Sequence, residues 1–147
     1  GAIARGGKLI PILLEQLNSL DFYKQKSPKS LSREWVEENI SPLLKDDKKE
    51  DVLNTFCEHI AIQIGISLKN DSALFTGGGA FNTYLIERIK YHSYSKIIIP
   101  DNTLINFKES LIFAFLGVLR MRNQVNCLQS VTGSKRDNCG GLIHHPY

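Results

Sequence analysis

Three consecutive glycines, Gly77, Gly78 and Gly79, stand between an apolar run and a helix-like run in "ALFTGGGAFNTYLIERI" (73–89), and no other stretch constrains the fold as tightly. Glycine opens backbone conformations that are closed to other residues and so belongs at sharp corners. "SALFTGGG" is therefore expected to be a short buried strand ending in a turn, and "AFNTYLIERIKYH" a helix with Leu85, Ile86 and Ile89 inward. A second β-branched run, "SKIIIP" (95–100), is closed by proline, and a helix apolar on nearly every side follows over 106–122, a pattern that predicts burial. Strand, helix, strand, helix predicts an α/β architecture, a sheet flanked by helices. Two short strands make a thin sheet for 147 residues, one that additional sequence would complete.

The first half reads as helical. "KLIPILLEQLNSL" (8–20) carries a stripe of Ile12, Leu13, Leu17 and Leu20, with Pro11 near the first turn, where its missing N–H costs little. The segment 21–35 loses periodicity around Pro28 and is expected to be an exposed connection, with helix resuming after Ser32 through Trp35, Val36 and Ile40. Further on, a charged opening leads into Val52, Leu53, Phe56, Ile60 and Ile64 at three- and four-residue steps, the clearest amphipathic helix of the chain. The tail from Ser130 is rich in Gly, Ser, Thr and Asn and is expected to be ordered loop with a last short strand or turn.

Composition narrows the function. With 42% hydrophobic and 22% charged residues, one compact domain is the default expectation. The formal charge of +3 is spread among nearly as many acids as bases, without a phosphate-tracking stripe, which argues against nucleic acid. Cys57, Cys127 and Cys139 form no CxxC pair, so neither a disulfide framework nor a zinc finger is suggested, and a reducing, cytoplasmic setting fits. The longest apolar run, 110–119, falls short of the roughly 20 residues a bilayer helix needs, so no membrane partner is expected.

Glycines at a strand end let backbone N–H groups approach a phosphate or sugar, and the following helix turns its positive end toward an anion. Gly77, Gly78, Gly79 and Asn82 have that placement, although a tight turn with a capping asparagine accounts for them equally well. The stretch is not GxxxxGK[ST], which excludes a Walker-type loop. Glu109 stands near the start of the last long helix, where the dipole favours a carboxylate; the alternative is an acceptor for substrate hydroxyls. Arg33 either binds an anion or pairs with Glu34 or another acid, and the hydroxyls and cations of "SVTGSKRDN" (130–138) match a surface loop more readily than an anion site. His59 lies two residues from Cys57 without an i, i+4 histidine partner, and His144 and His145 are adjacent in a terminal segment, so no metal site is read. No nucleophile elbow or triad can be assembled.

Four segments recur together in order: "AIARGGK" followed by a helix, "PKSLSREW", "FTGGGAFNTYLIERI", and "KESLIFAFLGVLRMRN" leading into "SVTGSKRDNCGG". Together they resemble the C-terminal half of the anhydro-N-acetylmuramic acid kinase family, across essentially the whole chain. The resemblance implies an actin-like ATPase (ribonuclease H-like) fold in which two lobes close around ATP and sugar, residues 1–147 being the C-terminal, adenosine-side lobe without its N-terminal partner. It implies a kinase that uses ATP with Mg2+ and water to open 1,6-anhydro-N-acetylmuramic acid and phosphorylate it, in recycling of cell-wall fragments. Its partners would be the small-molecule sugar and the nucleotide, and a homodimer is compatible with it. By the same resemblance Gly77, Gly78, Gly79 and Asn82 lie at the nucleotide and Glu109 faces the sugar. The family's phosphate loop and catalytic aspartate precede this region, so no catalytic residue is assigned within the chain, and this chain alone is expected to be inactive. Because Ser32 stands where the family pattern usually has glycine, no ligand role passes to Arg33. The alternative is a nucleotide-dependent, chaperone-like switch module of the same superfamily without kinase chemistry.

Overall fold

The computed structural model describes residues 1–26, 29–68 and 71–144, which leaves the expected break at Pro28 outside the described residues. The chain divides into two compact units, Gly1–Asp101 and Asn102–Tyr147.

The first unit is built around α4 (Lys49–Ser67), against which α1 (Ala2–Gly6), α2 (Pro11–Ser19) and α5 (Thr83–Tyr91) all pack. Pro11 opens α2 as expected, and Leu13 and Leu17 are buried, whereas Ile12 is exposed. Ser32 caps α3 (Arg33–Asn39) by accepting the Trp35 N–H at 3.2 Å. Glu50 and Asp51 place negative charge in the first turn of α4, where the helix dipole favours it.

The buried face of α4 differs from the one its apolar spacing predicts. Leu53 and Ile60 are exposed, while Asn54, Thr55, Cys57, His59, Ala61 and Gly65 are buried. Surrounded by three helices, α4 turns small or hydrogen-bonded residues toward its neighbours. Gly65 is one of these: a Cβ there would collide with the backbone carbonyl of His92, so its absence lets the end of α5 close on α4. Asn54 donates from Nδ2 to the Ala4 carbonyl (2.9 Å) and to the Tyr84 hydroxyl (2.8 Å), and Thr55 Oγ1 accepts the Ile10 N–H (2.9 Å).

Strands β1 (Ser72–Leu74) and β2 (Lys96–Ile98) pair in parallel with Ser72 opposite Lys96, joined through α5 as a βαβ crossover. The mixed α/β class expected from the alternation is present. Ile97 packs with Ala61, Ile86, Ile89 and Leu85, whereas Leu74 is 58% exposed. The expectation of a buried strand is thus corrected: helices cover one face of the two-stranded sheet, and the alternate residues remain in water.

The second unit contains α6 (Asn102–Met121) and the short α7 (Gln129–Thr132). Helix α6 closes in the turn after Met121, where Asn123, with a positive φ of 53°, lets Gln124 N–H return to the Leu119 carbonyl at 2.9 Å. The Asn126 carboxamide ties the tail down by accepting from Gly140 N–H (2.7 Å) and donating to its carbonyl (3.1 Å). The helix read as buried is not: Phe113 is 71% exposed, and Phe107, Leu111, Phe115 and Met121 are exposed as well, leaving Ile105 as its buried residue. Its apolar side chains outnumber the contacts a unit of this size supplies.

Candidate functional site

The glycine turn begins where β1 ends. Phe75 N–H still donates to the Ile98 carbonyl at 2.9 Å, so the parallel ladder aims the chain at the turn before it leaves the sheet. Gly77 follows with φ 82° and ψ 173°, a region essentially reserved for glycine. Gly78–Phe81 then form one 3₁₀ turn, pinned by Ala80 N–H to the Gly77 carbonyl (3.0 Å) and by the burial of Ala80, and Asn82 opens α5.

The three glycines are not equivalent. Gly77 is demanded by its backbone sign. Gly78 and Gly79 have no positive φ, both are exposed, and a Cβ built on either meets no atom within 4 Å. Their N–H groups donate to no acceptor among the described residues. Packing and backbone conformation therefore leave the missing side chains at 78 and 79 unexplained, and the result is a bare, open stretch of donors just before a helix N-terminus.

Asn82 has a definite structural role, since its Oδ1 accepts the Leu85 N–H at 3.1 Å and caps α5. It also lines a cavity of about 430 Å³ between α1 and α4, walled by Ile3, Ala4, Leu53 and Cys57. Burial pushes the Cys57 thiol up, and the Asn82 amide acts against that rise. Sequence patterns did not bring Cys57 or α1 to this place. The five residues of α1 are too few to show a period, and Cys57 is brought to Asn82 only by the packing of α4 on α5.

Glu109 lies on α6 about two turns from the helix start, because the helix begins at Asn102 rather than 106. The helix dipole therefore gives no reason for its position, and it is an exposed carboxylate in the helix interior. Arg33 pairs with Glu37 at 2.8 Å, one turn on, rather than with Glu34. In the 130–138 loop, Thr132 Oγ1 donates to the Leu128 carbonyl (2.9 Å) and Ser134 Oγ to the Arg136 carbonyl (2.7 Å), so these hydroxyls serve their own loop.

His59 is a satisfied core histidine, 3% exposed. Asn18 Oδ1 accepts from Gln63 Nε2 (2.9 Å), which assigns the His59 proton to Nδ1 facing the same oxygen (2.7 Å) and leaves Nε2 to accept the Tyr23 hydroxyl (2.8 Å). Burial lowers its pKa. Next to it, Glu58 receives Arg88 through two bonds of 2.6 and 2.8 Å and His92 Nε2 at 2.7 Å, which holds its carboxyl below the usual range against the opposing effect of burial. This cluster locks α5 onto α4 and so fixes where the glycine turn points. His144 is exposed, and His145 lies outside the described residues. Among the described residues no group of three or more His, Cys, Asp or Glu side chains could hold a metal ion, and no helix is long and apolar enough to cross a membrane.

Known proteins share this sequence closely enough to place it. A protein named anhydro-N-acetylmuramic acid kinase from Saccharophagus degradans is 34% identical over 158 aligned positions, covering 99% of this chain and 43% of the relative. Proteins of the same name from a gamma-proteobacterium (35% identical, 97% of this chain, 40% of the relative) and from a Sulfurovum species (30%, 98% and 42%) align equally fully. The chain thus spans about two fifths of the length of the curated relatives it matches. The family model described as anhydro-N-acetylmuramic acid kinase matches residues 1–146, from the helix that walls the Asn82 cavity through the glycine turn to the tail, and the chain belongs to that family.

Proposed function

We propose that this chain is the nucleotide-binding lobe of an actin-like sugar kinase that opens 1,6-anhydro-N-acetylmuramic acid and delivers N-acetylmuramic acid 6-phosphate in the cytoplasm. The observation that carries this reading is the open backbone at Gly78 and Gly79, for which the fold itself gives no reason. Bound there, ATP would supply the phosphoryl group and Mg2+ would neutralise the charge that develops on it.

The chain's own residues supply positioning. The N–H groups of Gly78 and Gly79 would offer their partial positive charge to phosphate oxygens, and the N-terminus of α5 would add to it. Gly77 sets the angle at which that backbone leaves the sheet. Asn82 stays fixed by its cap and offers an amide edge beside a mostly apolar cavity that suits a nucleobase and ribose. Glu109 accepts hydrogen bonds from sugar hydroxyls. The base that activates water would come from outside these residues.

The test is direct. The native polypeptide that carries this sequence is incubated with Mg-ATP and 1,6-anhydro-N-acetylmuramic acid, and the product is followed by mass spectrometry. A product heavier by one phosphate plus one water is expected. Nucleotide binding with no such product would overturn the kinase assignment.

A further inference from the structure

A second concave site lies away from the glycine turn, where α2 runs into the 3₁₀ turn Asp21–Tyr23 and meets α3. It is an open cavity of about 380 Å³ whose lining includes Gln16, Asp21, Phe22, Gln25, Trp35 and Asn39. Phe22 and Trp35 are in contact, with ring centroids 5.4 Å apart and planes inclined at 55°, so they form one bent aromatic wall rather than a slot. Lys29 braces that wall, donating to the Phe22 carbonyl at 2.9 Å and lying 4.6 Å over its ring. Asn39 donates to the Trp35 carbonyl at 2.9 Å, which fixes its carboxamide plane. The Trp35 indole N–H and the Gln25 amide have no hydrogen-bond partner among the described residues.

We propose that this cavity is a carbohydrate site that takes a neutral N-acetylated saccharide ring. An apolar sugar face needs a single aromatic surface, whereas a nucleobase is best held between two parallel ones, and rings already touching each other leave no room between them. Sugar hydroxyls and an acetamido group both donate and accept, which matches an inventory of three primary amides, one carboxylate and one free indole donor. Asp21 is paired with Lys24 at 3.0 Å, so the lining carries no unpaired charge and suits a neutral ring better than an ion. The site does not rest on the kinase reading and needs no nucleotide.

Trp35 is the one tryptophan in the sequence and reports on the site. The native polypeptide is labelled with 15N at the indole nitrogen, and the Trp35 signal is assigned by its loss in Trp35→Phe. N-acetylglucosamine is then titrated to about 50 mM, with adenosine as control. A saturable shift of the Trp35 signal by the saccharide is expected, with half-saturation raised about two- to tenfold in Gln25→Ala, a surface change that removes one hydrogen bond. Asp21→Asn, which keeps the shape of the side chain, should weaken binding in the same sense. A Trp35 signal that does not move overturns the proposal, as does one that moves with adenosine alone or is indifferent to both variants.

Discussion

Replacing Gly77 and Gly78 separately by alanine divides the two reasons a chain can have for glycine. At Gly77, φ is 82° and ψ 173°, and an L side chain there costs about 1–3 kcal/mol. Restricting the unfolded chain returns about 0.4–1 kcal/mol, so a net loss near 1 kcal/mol is expected for Gly77→Ala. At Gly78 the backbone has no positive φ and an added Cβ meets nothing within 4 Å. There the unfolded-state effect acts alone, and Gly78→Ala should leave stability unchanged or raise it by up to about 1 kcal/mol.

Function should move the other way. A methyl group at Gly78 occupies the space through which a phosphate oxygen would reach the backbone, and losing one hydrogen bond to a charged group costs about 1.5–3 kcal/mol, or roughly 10- to 100-fold in affinity. The bulkier Gly78→Val should do at least as much, although a β-branched residue fits the 3₁₀ turn less comfortably. Urea unfolding gives the stability of each variant, and calorimetric titration with Mg-ATP gives the affinity, both on the native polypeptide. A Gly78→Ala protein that binds nucleotide as tightly as the parent would refute this reasoning and return all three glycines to the making of a turn.

Glu58→Gln should destabilise by about 1–3 kcal/mol in urea unfolding, because it leaves Arg88 and His92 facing an uncharged amide in a half-buried cluster. Since the folded Glu58 carboxyl lies below its ordinary value, its contribution is present above about pH 4.3 and is lost as pH falls through the folded value; the variant should lose that acid-limb slope. His59 has a lowered folded pKa, so the unfolded state binds the extra proton as pH falls below about 6.5, and stability should decline from there downward. His59→Gln should be less stable at pH 7.5 yet flatter between pH 6.5 and 5, and a parental slope in that variant would assign the titration to another group. The 147-residue chain by itself should show no ATP-dependent phosphorylation of the anhydro sugar, since phosphoryl transfer needs groups on both sides of the phosphate; measured turnover would contradict this.

What the sequence made legible was local. Pro11 at the opening of α2, Ser32 capping α3 and Asn82 capping α5 are effects settled within one helical turn, and each stands where the pattern placed it. The glycine corner belongs to the same class, because the sign of φ at Gly77 is a property of one residue. The contacts that orient the site are of another kind. Glu58 and Arg88 are thirty residues apart, His59 meets Tyr23 thirty-six residues away, and no periodicity within either segment announces the partner. Cys57 comes to Asn82 only through the crossing of two helices.

The apolar pattern failed at three places for one reason. Periodicity records which side chains are better off out of water, whereas burial depends on what surrounds them. In α4 the surroundings are rich, with three helices around it, and residues as polar as Asn54 and His59 are buried because each finds hydrogen-bond partners. In β1 and α6 the surroundings are poor, and Leu74 and Phe113 stay in water although their neighbours in sequence predict a core. A parallel βαβ unit normally has both faces covered, and here helices cover the one that carries Ile97. The glycine turn does not share this dependence, since its donors are displayed by backbone geometry and by the absence of side chains. That is why it can be argued from this chain alone, while Glu109, an exposed residue on a helix with a single buried position, takes whatever role it has from the groups that come to face it.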